Sequence, residues 1–387
     1  MKAEQIAFEK LYEVPSRNGV YKAAEFRGQG TRMVNMGELF GYDFIGSQDM
    51  ERIQLSEAEL ERSQLQDGDL LFGRRSVVEA GAGKCALVVD PPEPITFESS
   101  IIRVRLRRDI ADPRFFFYYF ASPQGRGLIR TIVSGAAVKG IRGSDLAGLR
   151  VKVPPLPIQN RIADIMIVYD DLIENNRRRM ALLEDAARQL YREWFVRLRF
   201  PGHEHTPITN GVPEGWDRKK VGDLLAKIPN KRKIQKGEYL EDGPIPCVDQ
   251  SVDFIGGYTD DEEAIHSTML PAIVFGDHTR ALKFVNFPFA RGADGTQIIY
   301  PNTGQISSEY FYFALMEIDL SNYFYARHFK FLKEKEVLLP EVSLVREFTA
   351  FARPCFDQIQ TLRQQNRKLR AARDVLLPRL MSGEITV

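Results

Sequence analysis

Three cysteines in 387 residues, Cys85, Cys247 and Cys355, are too few, too scattered and too odd in number for a disulfide framework. They predict reduced thiols in the core of a protein from a reducing compartment. No apolar run approaches the ~18 residues that a membrane helix needs, and MKAEQIAFEK has no signal-peptide pattern, so the expected location is the cytoplasm. The familiar catalytic signatures are missing too: there is no G-x-S-x-G, no H-E-x-x-H and no glycine-rich strand-to-helix fingerprint. GAGK at 81–84 imitates a phosphate loop, yet Val78 stands where the first glycine belongs and Cys85 where the metal-binding hydroxyl belongs. His203, Glu204 and His205 sit in a Gly- and Pro-bounded linker without further ligands, which predicts a solvated loop. Asp170 and Asp171, adjacent on a helix, point about 100° apart and make a poor carboxylate pair. No catalytic residue, metal ligand or cofactor is expected in this chain.

What is present is a repeat. Residues 154–200 recur in altered form at 340–387, with a constant shift of 186 laying Pro154 on Pro340, Ile162 on Phe348, Leu183 on Leu369 and Leu190 on Leu376. Each copy opens on proline, which suits the first turn of a helix, and then carries apolar residues at three- and four-residue steps. The first stripe is Ile162, Ile165, Tyr169, Leu172, Asn176, Leu183, Ala186 and Leu190; the second is Phe348, Phe351, Cys355, Leu362, Leu369, Ala372 and Leu376. These spacings predict two long helices packed antiparallel as a coiled coil, roughly 55–60 Å long at about 1.5 Å per residue. Asn176 lies on the apolar seam, where a polar residue favours one register, though a solvated seam position is equally consistent. Arg177, Arg178 and Arg179 suit a solvated face, a phosphate backbone or a partner.

Between the helical copies the chain reads as α+β. DLLFGRR (69–75), KCALVVD (84–90), SSIIRVRLR (99–107) and LRVKVPP (149–155) have strand composition. DPRFFFYYF predicts a buried helix starting at Asp112 or Pro113, and the following ASPQGRG predicts a turn. The second half repeats the outline, AIVFGDHTR (272–280) answering DLLFGRR and EYFYFALME (309–317) answering RFFFYYFAS. The expected organisation is a globular domain over 1–153, a central helix over 154–200, a second domain over 201–339 and a distal helix over 340–387, with an approximate twofold relation.

The formal net charge of +1 hides segregation. Residues 99–153 hold eleven Lys or Arg against three Asp or Glu, residues 217–236 hold eight against two, and residues 237–263 hold nine acidic side chains and no basic one. A phosphate feels charge within about 8 Å at physiological salt, so local patches decide. Two heads with basic patches suit a reader of two separated DNA sites.

At this point the sequence resembles the specificity subunit of type I restriction-modification systems over essentially its whole length. VPPLPIQNRIADIMIVYDDLIENNRR, ALLEDAARQLYREWFVR and the closing QNRKLRAARDVLLPRLMSGEI are similar to the family's conserved helical regions. GVPEGWDRKKVGDL, DGDLLFGRR and AIVFGDHTR resemble parts of its target-recognition domains. The resemblance implies a non-catalytic DNA-binding subunit, in which each domain recognises half of a bipartite double-stranded target and the helices set the spacer. It also implies docking of two modification subunits that use S-adenosylmethionine, joined by restriction subunits that use ATP and Mg2+, in a phage-defence complex. The second copy departs from the pattern at Val342–Glu347, which lacks the P-x-Q supplied by Pro157 and Gln159, so the two helix starts would dock partners unequally.

Residues that read bases do not follow from the resemblance. Physical candidates in the first domain are Arg74 and Arg75 after a strand, and Lys139 and Arg142 in the glycine-flanked VKGIRG. Their counterparts in the second are His278, Arg280, Arg327, His328 and Lys330. The basic run at Lys231, Arg232, Lys233 and Lys236 suits further phosphate contacts, though it fits a solvated, disordered loop better. Two other readings stay open: a methyltransferase or nuclease with an atypical site, which would bind S-adenosylmethionine by itself, and an adaptor that binds only proteins.

Overall fold

The computed structural model describes residues 4–77, 81–136, 138–302, 304–323 and 327–387, so Val78 of the rejected phosphate-loop reading lies outside the described residues. The chain forms two compact units, Met1–Glu174 with Arg367–Val387, and Asn175–Asn366.

The first unit opens with β1 (Glu4–Ala7) and β2 (Tyr12–Asn18). It continues through β3 (Phe44–Ile45), β4 (Leu70–Gly73), β5 (Arg75–Ser76), β6 (Cys85–Val88) and β7 (Ile101–Leu106). Five of these form one sheet in the order β2-β7-β4-β6-β3, in which only β3 and β6 run parallel. Because side chains alternate across a strand, Leu70, Phe72, Ile102 and Val104 face one apolar cluster while Leu71, Ala86, Val88 and Ile101 face another.

The first face is covered by α1 (Pro113–Ala121). Its cap is Asp112, whose carboxylate accepts from the Arg114 N–H at 2.8 Å, with proline at the first helical position. Every residue from Phe115 to Phe120 is buried, and Phe120 meets Phe8 and Phe72 edge-on at 4.9 and 5.1 Å, so the aromatic run is core. The turn expected at ASPQGRG is instead a second helix, α2 (Pro123–Ile132). Ser122 caps it through Gly125 N–H at 3.2 Å, and Pro123 starts it, so residues that look like a stop are a restart. The unit closes with β8 (Lys139–Gly140), α3 (Gly143–Gly148) and β9 (Arg150–Val153), the last antiparallel to β1.

The second unit follows the same plan. Its β10 (Asp217–Lys220) pairs antiparallel with β14 (Glu336–Leu339) as β1 does with β9. A three-stranded sheet has β11 (Ala272–Gly276) between β12 (Leu282–Val285) and β13 (Thr296–Ile299), as β4 lies between β6 and β7. The aromatic helix recurs as α5 (Ser308–Met316), and α6 (His328–Glu334) stands where α3 did. The shift between equivalent elements falls from 213 at Glu4 and Asp217 to 195 at Pro113 and Ser308 and 186 at Arg150 and Glu336, because the loops differ in length while the elements persist.

Two helices contribute to both units: α4 (Leu156–Tyr191), of 36 residues, and α7 (Val342–Ser382), of 41. Within each unit their segments pack antiparallel. In the first, Asp170 receives a hydrogen bond from Arg373 at 2.5 Å and one from the Tyr118 hydroxyl at 2.6 Å. In the second, Asn176 donates to Asn366 at 2.9 Å, both amides buried.

The packing stripe differs from the expected one in phase. Ile162, Phe348 and Leu362 are fully buried, and Ile165, Tyr169, Leu183, Leu190, Leu369 and Leu376 are half-buried. Leu172 and Phe351, however, are 47% and 45% exposed, and Ala186 and Ala372 are exposed too. The core takes Ile173 and Ala352 instead, together with Met166, Ala187 and Tyr191. Apolar residues flank the seam on both sides, so spacing alone does not choose between neighbouring phases.

All three cysteines are buried and free. No helix among the described residues is long and apolar enough to cross a membrane, and no described cluster of His, Cys, Asp and Glu could hold a metal ion.

Candidate nucleic-acid interface

In the first unit the fold gathers the four candidates. β5 pairs antiparallel with β8, setting Ser76 opposite Lys139 and Arg75 opposite Gly140. The Arg74 carbonyl accepts the Ile141 N–H at 3.0 Å, and Arg142 occupies the N-cap of α3. Gly140 is required here because a Cβ would stand 2.8 Å from the Arg74 carbonyl oxygen. Arg75 and Arg142 are exposed and Lys139 half-buried. Among the described residues none of these three side chains has a hydrogen-bond or ion-pair partner, whereas Arg74 is half-buried and reaches the Ser99 carbonyl at 3.4 Å.

Several other cations of the basic stretch are engaged internally. Arg105 grips the buried Asp69 with two bonds of 2.7 Å, Arg114 holds Asp112 and Asp164, and Arg108 holds Asp67. Arg126 donates to the Gly83 carbonyl at 2.9 Å. Arg75, Lys139 and Arg142 thus gather at the edge formed by β5, β8 and the start of α3, while Arg130 on α2 and Lys152 on β9 are exposed as well.

The second unit repeats this junction. Asp277, just past β11, accepts the His328 N–H through its carbonyl at 2.9 Å, as Arg74 accepts that of Ile141. His278 and Arg280 lie in the turn between β11 and β12, and Arg327 occupies the N-cap position of α6; with Lys330 all four are exposed. Arg280 holds a left-handed φ of 62° and donates to the Leu320 carbonyl at 3.1 Å.

His328 is a correction. It is buried, with Nδ1 at 2.8 Å from the Asp277 carbonyl oxygen and Nε2 at 2.8 Å from that of Tyr323. Both ring nitrogens are occupied by backbone, so this residue fastens α6 to the end of β11 and is not available to DNA. The basic run at 231–236 is also not a free loop. Lys231 donates to the Ile265 carbonyl at 2.6 Å, and Arg232 pairs with Glu238 and with Asp261 at 2.7 Å.

No sequence pattern marks the support beneath His278. Lys283 on β12 is buried and donates to the carbonyls of Asp249, at 2.8 Å, and Asp253. Burial pulls its ammonium below the usual lysine range, against the opposing pull of Asp249 and Asp253. Gln250, on the loop so clamped, accepts from His278 N–H at 3.1 Å and donates to the Asp294 carbonyl at 2.8 Å. These partners lie about thirty residues or more apart, and no local pattern marks them.

The departure noted at Gln159 also has a structural meaning. Its buried amide accepts the Asp112 N–H at 2.9 Å and donates to the carbonyls of Ile110 and Pro154 at 3.0 and 2.8 Å, joining the starts of α4 and α1. In the second unit Val345 stands 186 residues on and is buried in the apolar core.

Comparison with known proteins follows the same lines. Residues 18–185 match the family model for the type I restriction modification DNA specificity domain. The specificity subunit of the type I restriction enzyme MjaIX from Methanocaldococcus jannaschii is 23% identical over 392 residues, spanning 95% of this chain and 89% of that protein. The corresponding subunit of EcoKI from Escherichia coli is 29% identical over 163 residues, 41% of this chain and 35% of its own. Among solved structures, the S subunit of a type I restriction-modification system from M. genitalium shares the fold with a TM-score of 0.58 at 16% identity, covering 98% of this chain and 96% of that one.

Proposed function

We propose, from the premise that this chain belongs to the family of type I restriction-modification specificity subunits, that each of its two units reads one half of an interrupted double-stranded DNA target. The observation that carries this reading is the repeated junction: in both units an exposed residue just past the central strand, Arg75 or His278, sits beside an exposed arginine at a helix N-cap, Arg142 or Arg327. Cations without internal partners serve phosphate contacts and the bidentate reading of guanine. The helices α4 and α7 set the number of unspecified bases between the half-sites and dock two modification subunits. Methyl transfer from S-adenosylmethionine, and cleavage dependent on ATP and Mg2+, belong to the partner subunits. This chain supplies sequence choice and no chemistry.

The test is binding of the assembled complex to duplex DNA across a salt series. A reader with several phosphate contacts weakens with a log–log slope near −0.9 per phosphate neutralised. Absence of DNA retention at any salt would support a protein-only adaptor instead, and tight S-adenosylmethionine binding by the isolated chain would support an enzyme.

A further inference from the structure

Two valines at the end of the β5–β8 ladder remain outside the interface described above. Val77 follows Ser76 and is 83% exposed; Val138 precedes Lys139 and is 51% exposed. The ladder pairs Arg75 with Gly140 and Ser76 with Lys139, so one further step of the same antiparallel register brings Val77 opposite Val138. The turn that carries Val138 is a bonded one: Ser134 and Gly140 exchange both backbone hydrogen bonds, at 2.9 and 2.8 Å. Gly135 within it has φ +105°, and a Cβ there would stand 2.2 Å from the Val138 carbonyl oxygen.

The ladder thus ends in two β-branched apolar side chains on the face of Arg75, which has no side-chain partner among the described residues. A surface that matches it combines negative charge with an isolated apolar group. The major groove of DNA is wide enough for a two-stranded ribbon, and the 5-methyl of thymine is the apolar group it displays.

We propose that Val77 and Val138 are specificity residues of the first unit, packing on a thymine 5-methyl group in the half-site that this unit reads. The proposal rests on the DNA-reading function above. It is particular to the first unit: counted from Gly73 and Gly276, which end the equivalent strands β4 and β11, the place of Val77 is taken by Arg280. The second half-site has no such contact at that place.

The experiment uses the complex with its modification subunits and duplexes bearing the motif mapped from adenine methylation. Thymines are replaced by uracil, which removes the methyl group alone, in one half-site at a time. Uracil in one half-site is expected to weaken binding by the wild type about fourfold, what burial of one methyl-sized group is worth. The V77A/V138A complex is expected to bind the thymine and uracil duplexes equally while melting at the wild-type temperature, and the other half-site to be indifferent to the substitution in both proteins. The proposal is overturned if uracil costs nothing in either half-site, if that half-site contains no thymine, or if V77A/V138A keeps the full preference for thymine. A wild-type complex that does not distinguish its motif from a scrambled duplex would overturn the DNA-reading function itself, and this contact with it.

Discussion

His266 stacks on Phe289 at 5.5 Å with its Nε2 buried and unpartnered among the described residues. Burial, and then the nearby charges of Lys231 and Arg291, lower its pKa from 6.5 to about 4. As pH falls the unfolded chain therefore takes up the proton first. Stability is undiminished above about pH 6.5 and declines from there to about pH 4, by roughly 3 kcal/mol in all. His266→Phe should flatten this part of the acid transition, read by denaturant unfolding at pH 7 and pH 4.5; an unchanged difference between the two would contradict the assignment. At the interface, Arg75→Ala is expected to cost about 1–3 kcal/mol on the cognate sequence and little on others. Arg142→Ala should weaken all sequences alike and reduce the salt slope by about 0.9, as loss of a phosphate contact does. Arg75, Lys139 and Arg142 were legible as candidates because glycine and strand-end signals bracket them. The burial of His328 was not legible, because an exposed-looking basic helix start does not disclose that its ring is bound by two backbone carbonyls.

At the scale of elements, the polar pair between α4 and α7 is the sharpest test. Asn176→Leu removes the hydrogen bond to the buried Asn366 and is expected to cost about 1–3 kcal/mol, whereas replacing both with leucine should restore most of that stability while loosening the register. Thermal unfolding of the two single variants and the double distinguishes this from simple loss of packing, which would add across the pair. Gln159→Leu strands the Asp112 N–H and the carbonyls of Ile110 and Pro154 together, so it should destabilise the first unit more than either asparagine change. The helices themselves were readable from three- and four-residue steps over a long span. Their phase was not, since Leu172 and Ile173, or Phe351 and Ala352, differ in burial through contacts that the sequence does not print. α2 was missed for a related reason: Ser-Pro marks a helix start as well as a turn, and only the Ser122 cap decides between them.

At the scale of the molecule, the duplication seen as a drifting shift in the sequence is a repetition of topology, β1 with β9 matching β10 with β14 and the three central strands matching in order. The edges proposed to face DNA differ between the two units, Arg75 against His278 and Val77 against Arg280. Such divergence on a common frame is what two different half-sites require. If α4 and α7 fix the spacer, inserting one heptad into both helices should lengthen the unspecified gap and leave each half-site unchanged, read from the methylated motif; loss of both half-sites with the fold intact would contradict it. The most direct test of the central claim is single-molecule methylome sequencing of DNA from cells carrying the complete operon, with this gene intact and then deleted. The account predicts an interrupted adenine-methylated motif that disappears on deletion. A methylation pattern that is unchanged while the modification subunit is expressed would contradict it.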